Sequence, residues 1–286
     1  MTIAKLYSTY SDDGSARLGF ETMDKNMIEA IYIPREGKVK ICISSQVGCG
    51  FACLHCKTGT VGFLRNLSSE EMFEQARIGL DHAPKGSRPE VIYFGAGEPF
   101  LNYDNTISSM EKIYDRLHGF DSYQQIQVST SGVKSRIIDF ANLSITPQLA
   151  VSLHSAIKET RRSLIPQSKS FCLSDLKNEL RYYADRVGQR IIIHYTLISD
   201  FNDDTESIDA LTEYLKDLHC IVHVLPFNPY ENSIFSRPVD EKGIFFVSEL
   251  TKNGVSAEYR PSRGRDIGAA CGQLVCGLPS KKKRSG

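Results

Sequence analysis

The chain has 286 residues, 41% of them hydrophobic and 24% charged, a globular composition that excludes collagen-like, low-complexity and disordered proteins. It has no apolar run near the roughly 18 residues that span a bilayer and no signal peptide at its start, so we expect a cytoplasmic protein without a membrane partner. The net charge of +0 is uneven, because residues 260–286 hold seven Lys or Arg and one acid. This excess indicates either an anionic partner or a solvated tail.

The first part of the chain, residues 1–38, carries turn signals between short strand-like runs. These signals are Asp13-Gly14, Asp24–Asn26 and Glu36-Gly37, and such residues favour tight turns. Residues 1–38 are therefore predicted to form a small β-meander that packs against the strand that follows.

From residue 39 onward, short apolar runs alternate with segments of helical periodicity. The predicted strands are Val39–Ile43, Val91–Phe94, Ile126–Ser129, Leu149–Leu153, Arg190–Leu197 and Ile221–Leu225. The predicted helices are Glu70–His82, Asn105–Leu117, Ser135–Ala141, Leu173–Val187, Asp203–Leu218 and Asp240–Lys252. Ser68 and Glu71 predict a capping box at the first helix, and Asn253-Gly254 predicts the end of the last.

The alternation predicts an α/β fold with a parallel sheet and helical crossovers. Six strand–helix units are too few for a closed eight-stranded barrel, so either a partial barrel or an open doubly wound sheet fits the count. In both architectures the active site lies at the carboxyl ends of the strands.

The eight cysteines in a chain without a secretory signal indicate thiols rather than a disulfide framework. Cys49, Cys53 and Cys56 form a CxxxCxxC motif just after the first strand of the alternation. A structural zinc site needs a fourth protein ligand, which would be Cys42 or His55. An iron–sulfur cluster held by three cysteines leaves one iron open to an external ligand. The spacing alone leaves both centres open.

The motif and its surroundings resemble the radical S-adenosylmethionine (SAM) superfamily and, within it, the RlmN/Cfr family of RNA adenine methyltransferases. Matching stretches run in family order from about residue 28 to 275. They are Glu29-Ala-Ile-Tyr-Ile-Pro34, Cys42-Ile-Ser-Ser-Gln-Val-Gly-Cys49, Thr58-Gly-Thr-Val-Gly-Phe63, Arg65-Asn-Leu67, Gly95-Ala-Gly-Glu-Pro99, Ser129-Thr-Ser-Gly132, Ser152-Leu-His154, Pro226-Phe-Asn-Pro229 and Arg263-Gly-Arg-Asp-Ile-Gly-Ala-Ala-Cys-Gly-Gln-Leu274.

The resemblance implies a partial (β/α)6 radical SAM barrel over residues 39–259, with the meander before it and a catalytic-cysteine loop and basic tail over residues 260–286. It implies that Cys49, Cys53 and Cys56 hold a 4Fe-4S cluster and that two SAM molecules are used per turnover. By the same resemblance, SAM contacts Gly97, Glu98, Ser129, Ser152, Leu153, His154 and Asn228.

The resemblance gives two further cysteines and one acid catalytic roles. Cys271 carries a methyl group from SAM, a hydrogen atom is removed from that group, and the carbon then adds to adenine. Glu29 removes a proton from the adduct, and Cys42 attacks the Cys271 sulfur, which forms a transient disulfide and releases the RNA. We expect Arg263 and Arg265 to lower the pKa of Cys271.

The remaining cysteines match no role in the family. We expect Cys172 at the start of a helix and Cys220 in the core, and we do not expect Cys276 to serve as a second redox partner.

The resemblance also implies the partners. They are ribosomal or transfer RNA and a flavodoxin- or ferredoxin-type electron donor to a monomeric enzyme. The methylated atom is adenine carbon 2 in preference to carbon 8, and carbon 8 stays open. Only 28 residues precede Glu29, which implies a short member without the accessory helical domain, so basic C-terminal residues would contact RNA. Two alternatives stay open. One is the same chemistry on another substrate, and the other is a zinc-stabilised RNA-binding protein without catalysis.

Overall fold

The computed structural model describes residues 2–276. The strands are β1 (Ile3–Tyr10), β2 (Ala16–Thr22), β3 (Met27–Arg35), β4 (Lys38–Ile43), β5 (Gln46–Gly48), β6 (Phe63–Asn66), β7 (Arg88–Tyr93), β8 (Ile126–Thr130), β9 (Gln148–Ser152), β10 (Ile191–Leu197), β11 (Cys220–Pro226) and β12 (Ala257–Tyr259). The helices are α1 (Ser69–Leu80), α2 (Tyr103–Arg116), α3 (Arg136–Ala141), α4 (Lys158–Leu164), α5 (Leu173–Val187), α6 (Thr205–Leu215) and α7 (Asp240–Lys252). The basic cluster predicted at 281–284 lies outside the described residues.

Ten of the strands form one continuous sheet, in the order β1-β2-β3-β4-β7-β8-β9-β10-β11-β12. The first three pairings are antiparallel, and every pairing from β4 to β12 is parallel. A doubly wound sheet reverses its strand order at a switch point, whereas here the order from β4 to β12 follows the chain. The doubly wound alternative is therefore excluded.

The parallel part of the sheet curls into a partial barrel. Cys42 of β4 and Leu225 of β11 line the same cavity although four strands separate β4 from β11 in the sheet. Within the described residues β12 pairs only with β11, so the curled sheet stays open between β12 and β4. The predicted partial barrel is confirmed, with β12 as a seventh parallel strand that the sequence did not predict.

The strands of the barrel are buried on both faces, as a parallel sheet covered by helices requires. All five residues of β8 are buried, for example, and the outward-facing side chains join those of the helices in one large core. None of the helices within residues 2–276 combines the length and apolar character needed to cross a bilayer.

The predicted helix ends agree with the structure where a capping residue defines them. Ser68 Oγ accepts a hydrogen bond from the Glu71 amide at 3.2 Å, and Glu71 Oε2 accepts one from the Ser68 amide at 2.8 Å, so the capping box is confirmed. At the other end of the barrel α7 stops at Lys252, and Gly254 adopts φ +83°. Local sequence therefore fixed these boundaries.

Four elements were not predicted, because each is too short for a periodic signal. Helix α4 has seven residues, of which only Arg161 and Leu164 are buried. Strands β5 and β6 form a separate two-stranded ribbon, and β12 has three residues. Helix α6 is shorter than predicted, because Asp204 caps its first turn through the Ser207 amide at 2.8 Å and Lys216 leaves the helical conformation.

The antiparallel strands β1, β2 and β3 precede the barrel, and their turns lie at the predicted turn residues. Strand β3 pairs with β4 along five positions, from Ile31–Cys42 to Arg35–Lys38. The meander thus continues the barrel sheet without a break. The division of the chain at residues 38 and 259 stays a prediction.

Candidate active site

A cavity lies at the carboxyl ends of the barrel strands and gathers most of the predicted site residues. Its lining includes Cys42, Cys49, Cys53, Cys56, Gly97, Glu98, Ser129, Ser152, His154 and Cys271. These residues come from β4, the segment after β5, the ends of β7, β8 and β9, and the segment after β12. Convergence of separate strand ends on one cavity is the usual arrangement of an active site in a β/α barrel.

The cysteine loop, residues 49–56, is held by backbone hydrogen bonds to three separate parts of the chain. The Cys49 amide donates to the carbonyl oxygen of Gly62 at 2.9 Å, the Leu54 amide to that of Leu164 at 2.9 Å, and the Lys57 amide just after it to that of Gly272 at 2.7 Å. Backbone contacts outside the loop therefore set its conformation. Burial raises the pKa of the Cys49 thiol to about 12, so metal binding must displace protons from these thiols.

The donor set fits a cluster better than a single ion. Within residues 2–276, no three His, Cys, Asp or Glu side chains converge closely enough to ligate one metal ion, although three thiols line the same cavity. Cysteines around an iron–sulfur cluster bind different irons and need not meet at one point. The zinc alternative, with Cys42 or His55 as fourth ligand, does not fit this arrangement. Cys49, Cys53 and Cys56 would hold the cluster.

The glycine-rich turn after β7 is shaped by close packing against β5. Gly97 has φ +105°, and a Cβ there would lie 2.7 Å from the Gln46 amide nitrogen and 2.7 Å from Ser45 Oγ. A side chain at this position would push the turn away from the cavity. The turn positions Glu98, whose carboxylate accepts hydrogen bonds from the amides of Ser131 at 2.7 Å and Phe100 at 3.0 Å. Burial raises the pKa of Glu98 to about 7.

His154 follows β9 in the left-handed conformation, with φ +58°, and turns its ring into the cavity. Its Nδ1 accepts a hydrogen bond from the Thr196 amide at 3.0 Å, so the ring proton is on Nε2. Burial and the neighbouring His55 hold the pKa of His154 well below its usual range. The side chain is therefore a neutral hydrogen-bond donor at neutral pH.

Two of the residues predicted to contact SAM are not part of the cavity lining. Leu153 is fully buried in the main core, as its apolar side chain favours. Asn228 lies beside the cavity, where its amide nitrogen donates to the carbonyl oxygen of Cys271 at 3.2 Å and its amide oxygen accepts from Arg237 at 2.9 Å. In this structure Asn228 therefore supports the Cys271 segment.

Cys42 and Cys271 approach each other from β4 and from the segment after β12. Both are free thiols, and both line the cavity. Burial is the main cause of the raised pKa of Cys42, and Cys271 raises it further. Cys271 is exposed at the cavity, but desolvation by the groups around its sulfur raises its pKa to about 11. The prediction that Arg263 and Arg265 lower the Cys271 pKa is wrong, because the shift is upward and neither arginine is among its causes; Arg263 donates instead to the carbonyl oxygen of Asp13 at 3.5 Å.

The structure does not bring Glu29 into the cavity. Its buried carboxylate accepts two hydrogen bonds from Arg17, at 2.6 and 2.9 Å, together with one from the Tyr7 hydroxyl and one from the Val275 amide at 2.9 Å. The role of Glu29 as a base stays a prediction.

Cys172 and Cys220 lie where the sequence predicted them, whereas no position was predicted for Cys276. Cys172 caps α5, and Cys220 is buried at the start of β11. Cys276 is fully buried beside Ser44.

Arg161 is a buried cation that the sequence analysis missed. It is 3% exposed and donates to the carbonyl oxygens of Ser152 at 2.9 Å, Ser131 at 2.5 Å and Leu153. It thus ties together the ends of β8 and β9, beside the cysteine loop. The sequence Lys-Glu-Thr-Arg-Arg over residues 158–162 gave no sign that one arginine turns inward.

Comparison with known proteins defines the class of this fold and site. A crystal structure of a radical SAM methyltransferase from Sphaerobacter thermophilus superposes with a TM-score of 0.90 at 33% identity, over 96% of this chain and 81% of that one. The fold is therefore that of a radical SAM methyltransferase, and the protein belongs to this class of enzyme. No family model matches the chain.

Curated relatives give the particular family. The chain is 36% identical over 262 residues to a probable dual-specificity RNA methyltransferase RlmN from Thermotoga sp. strain RQ2, which covers 92% of this chain and 76% of the relative. It is 36% identical over 269 residues to the RlmN protein of Flavobacterium psychrophilum, over 93% of this chain and 77% of the relative. The chain belongs to the RlmN family, and the SAM and 4Fe-4S cofactors predicted for it are those of this class.

Proposed function

We propose that the protein methylates an adenine of ribosomal or transfer RNA, at carbon 2 in preference to carbon 8, through an S-methylated Cys271. The observation that carries this proposal is the convergence of five cysteines on one cavity at the strand ends. Three of them form a loop suited to a cluster, and the other two, Cys42 and Cys271, come from separate elements. RNA binding alone requires none of the five.

The chain's own residues fit successive steps. The bound cluster would supply the electron that cleaves SAM, delivered by a flavodoxin- or ferredoxin-type donor. The Cys271 thiolate takes the methyl group of one SAM molecule and releases S-adenosylhomocysteine. The S-methyl group would give a hydrogen atom to the radical formed from a second SAM molecule, and its carbon would then add to adenine. The radical adduct would lose one electron to an iron–sulfur acceptor and one proton to Glu29. Attack of the Cys42 thiolate on the Cys271 sulfur would then form the disulfide and break the carbon–sulfur bond, and the released carbon would take up a proton to give the methylated base.

The surroundings of the two thiols support this order of events. Desolvation raises the pKa of both thiols, which favours the protonated form of each at neutral pH. Attack requires a thiolate, and the positive charge on the sulfonium of SAM would favour ionisation of Cys271 only when the cofactor is present. Premature disulfide formation between Cys42 and Cys271 is disfavoured for the same reason.

A cluster of cations near the open side of the barrel would add affinity for RNA outside the cavity, because Lys38 and Arg88 begin β4 and β7 and so lie at the strand ends opposite the site. Arg35 at the end of β3 stands opposite Lys38 of β4, which in turn stands opposite Arg88 of β7. Arg260 and Arg263 also approach Arg35, since after burial they are the main causes of its lowered pKa. Clustered cations of this kind bind phosphate backbones with little sequence preference.

The proposal is tested by trapping the covalent intermediate. Cys42→Ala should load the methyl group and add to RNA but fail to release it, so a protein–RNA crosslink should accumulate on a denaturing gel. Cys271→Ala should give neither crosslink nor methylated RNA, since it has no sulfur to carry the methyl group. Cys172→Ala is the matched control, because Cys172 is exposed at the start of α5 and should leave turnover unchanged.

Two results would exclude the two-cysteine mechanism. One is normal turnover of Cys42→Ala without any crosslink, and the other is retained RNA methylation by Cys271→Ala. Methylation of a free nucleotide with no activity on RNA would instead support the same chemistry on another substrate.

A further inference from the structure

The segment that carries Cys271 is joined to the N-terminal meander by one buried polar group, in which the proposed chemistry uses Glu29 but does not explain Arg17. Arg17 of β2 donates through Nε and Nη2 to Glu29 Oε1, at 2.9 and 2.6 Å, and through Nη1 to the carbonyl oxygen of Ile267 at 3.3 Å. The other carboxylate oxygen, Glu29 Oε2, accepts from the Val275 amide at 2.9 Å. Cys271 lies midway between Ile267 and Val275 in the sequence.

The register of the meander builds this group. Tyr7, Gly19 and Glu29 are direct neighbours across β1, β2 and β3. A Cβ at Gly19 would lie 2.2 Å from the Tyr7 ring, so glycine alone lets the ring lie flat over β2 and its hydroxyl reach Glu29. Arg17 is two residues before Gly19 on the same strand, and its side chain therefore lies on the same face.

The ion pair is shielded from solvent, which makes its loss expensive. The Glu29 side chain is 2% exposed and the Arg17 side chain 22% exposed. Without Arg17 the carboxylate would remain buried with no cation beside it, and the removal of one partner of a buried pair is strongly destabilising. The contacts to Ile267 and Val275 would weaken with it.

We propose that Arg17 is a positioning residue for Cys271. It holds Ile267 by a direct hydrogen bond, and it holds Val275 through Glu29. Both ends of the segment are thereby fixed, with Cys271 facing the cavity. The inference rests on the proposed role of Cys271. It adds that the meander fixes the reacting sulfur from a distance, although no meander residue between 2 and 26 lines the cavity.

Hydrogen–deuterium exchange of the full-length protein tests whether Arg17 holds the Cys271 segment, and it does not depend on catalysis. In Arg17→Gln, peptides covering residues 267–276 should exchange about tenfold faster than in the wild type, the effect of losing a charged hydrogen bond. Arg17→Lys keeps the charge but not the planar fork, so the same peptides should show a smaller increase. Peptides from β8 and β9 should be unchanged, a result that general destabilisation would not give.

A disulfide measurement reads the position of Cys271 itself. In glutathione buffers, glutathione disulfide oxidises Cys42 and Cys271 to one intramolecular disulfide and is reduced to two glutathione molecules. The equilibrium constant, read by mass spectrometry, should fall about tenfold in Arg17→Gln, because a released segment lowers the effective concentration of Cys271 near Cys42. Arg136→Gln, which removes a surface pair with Asp139, is the matched control and should match the wild type.

The outcomes separate the inference from the proposed function. Unchanged exchange of residues 267–276 in folded Arg17→Gln or Arg17→Lys, with an unchanged disulfide equilibrium, overturns the positioning role. If Arg17→Gln speeds exchange of residues 267–276 as expected but the wild type never methylates RNA, the proposed function is wrong and the positioning of Cys271 by Arg17 is still supported. If both stand, Arg17→Gln should lower kcat for RNA methylation with little change in the KM for SAM.

Discussion

Gly97→Ala is the substitution whose effect can be worked out most directly from the structure. Gly97 has φ +105°, a conformation that costs a side-chain-bearing residue roughly 1–3 kcal/mol. The new Cβ would also lie 2.7 Å from the Gln46 amide nitrogen, the Gln46 Cβ and Ser45 Oγ. Two of these atoms belong to or adjoin the β5 backbone and cannot rotate away, so overpacking adds about 1–3 kcal/mol. Together the two terms predict a loss of unfolding free energy of about 2–6 kcal/mol.

Gly188→Ala separates conformational strain from close approach. Gly188 ends α5 with φ +71° and has no atom within 4 Å of the position of a new Cβ. Its replacement should cost only the strain of a left-handed residue, about 1 kcal/mol. Urea unfolding of the metal-free proteins gives both values from the transition midpoints, provided that the slopes agree.

Binding of SAM gives a second measurement on the same pair. Gly97→Ala shifts the turn that carries Glu98, so reconstituted enzyme should bind SAM at least about tenfold more weakly, whereas Gly188→Ala should bind it normally. Equal stability losses in the two variants, or normal SAM binding by Gly97→Ala, would refute the view that close packing against β5 positions this turn.

Three further predictions concern the cavity. Folding raises the pKa of Glu98 to about 7, so between about pH 4.5 and 7 the folded protein keeps a proton on Glu98 that the unfolded chain has lost. The unfolding free energy of the wild type, relative to that of Glu98→Gln, should therefore fall by roughly 3 kcal/mol as the pH rises from about 4.5 to 7. A difference between the two proteins that does not change with pH in urea titrations would contradict this. Arg161→Met removes a charged donor from three strand-end carbonyls, of which that of Leu153 keeps the Ser155 amide at 2.8 Å, and should lower the unfolding free energy by about 3 kcal/mol; a loss under about 1 kcal/mol would refute the view that Arg161 ties the strand ends together. Cys53→Ala should lose cluster iron and SAM cleavage together, and retained iron with full cleavage would exclude Cys53 as a ligand.

The sequence predicted the barrel because strong local signals repeat along it. Apolar strands and capped helices such as α1 and α5 are recognisable from their own residues. The regular alternation of strands and helices favours parallel strands joined by helical crossovers. Short elements such as α4 and β12 carry no such signal. Whether such a short segment forms a helix or a strand depends on its contacts with distant parts of the chain, and a short stretch of sequence does not reveal those contacts.

The site was predicted to a similar depth. Residues recognised as one family pattern converge on the cavity, including all five cysteines with proposed roles. The environment of each residue was less accessible. The sequence gives no sign that the Glu29 carboxylate has partners. The register of β1 to β3 nevertheless places Arg17 and Tyr7 against it. Arg263 was predicted to lie near Cys271 because the two residues are close in the sequence. In the structure the chain instead brings Arg263 to the carbonyl oxygen of Asp13.

Because β4 is hydrogen-bonded on both sides, by β3 and by β7, the first strand of the barrel has no unpaired edge. Truncation of the chain at residue 38 would expose a row of backbone donors and acceptors along an apolar strand, the kind of edge that templates aggregation. The same cut would also strip Arg17 and Glu29 from the Cys271 segment. A barrel expressed without its meander should therefore be insoluble as well as inactive, so attempts to minimise this enzyme should shorten surface loops and leave its N-terminus intact.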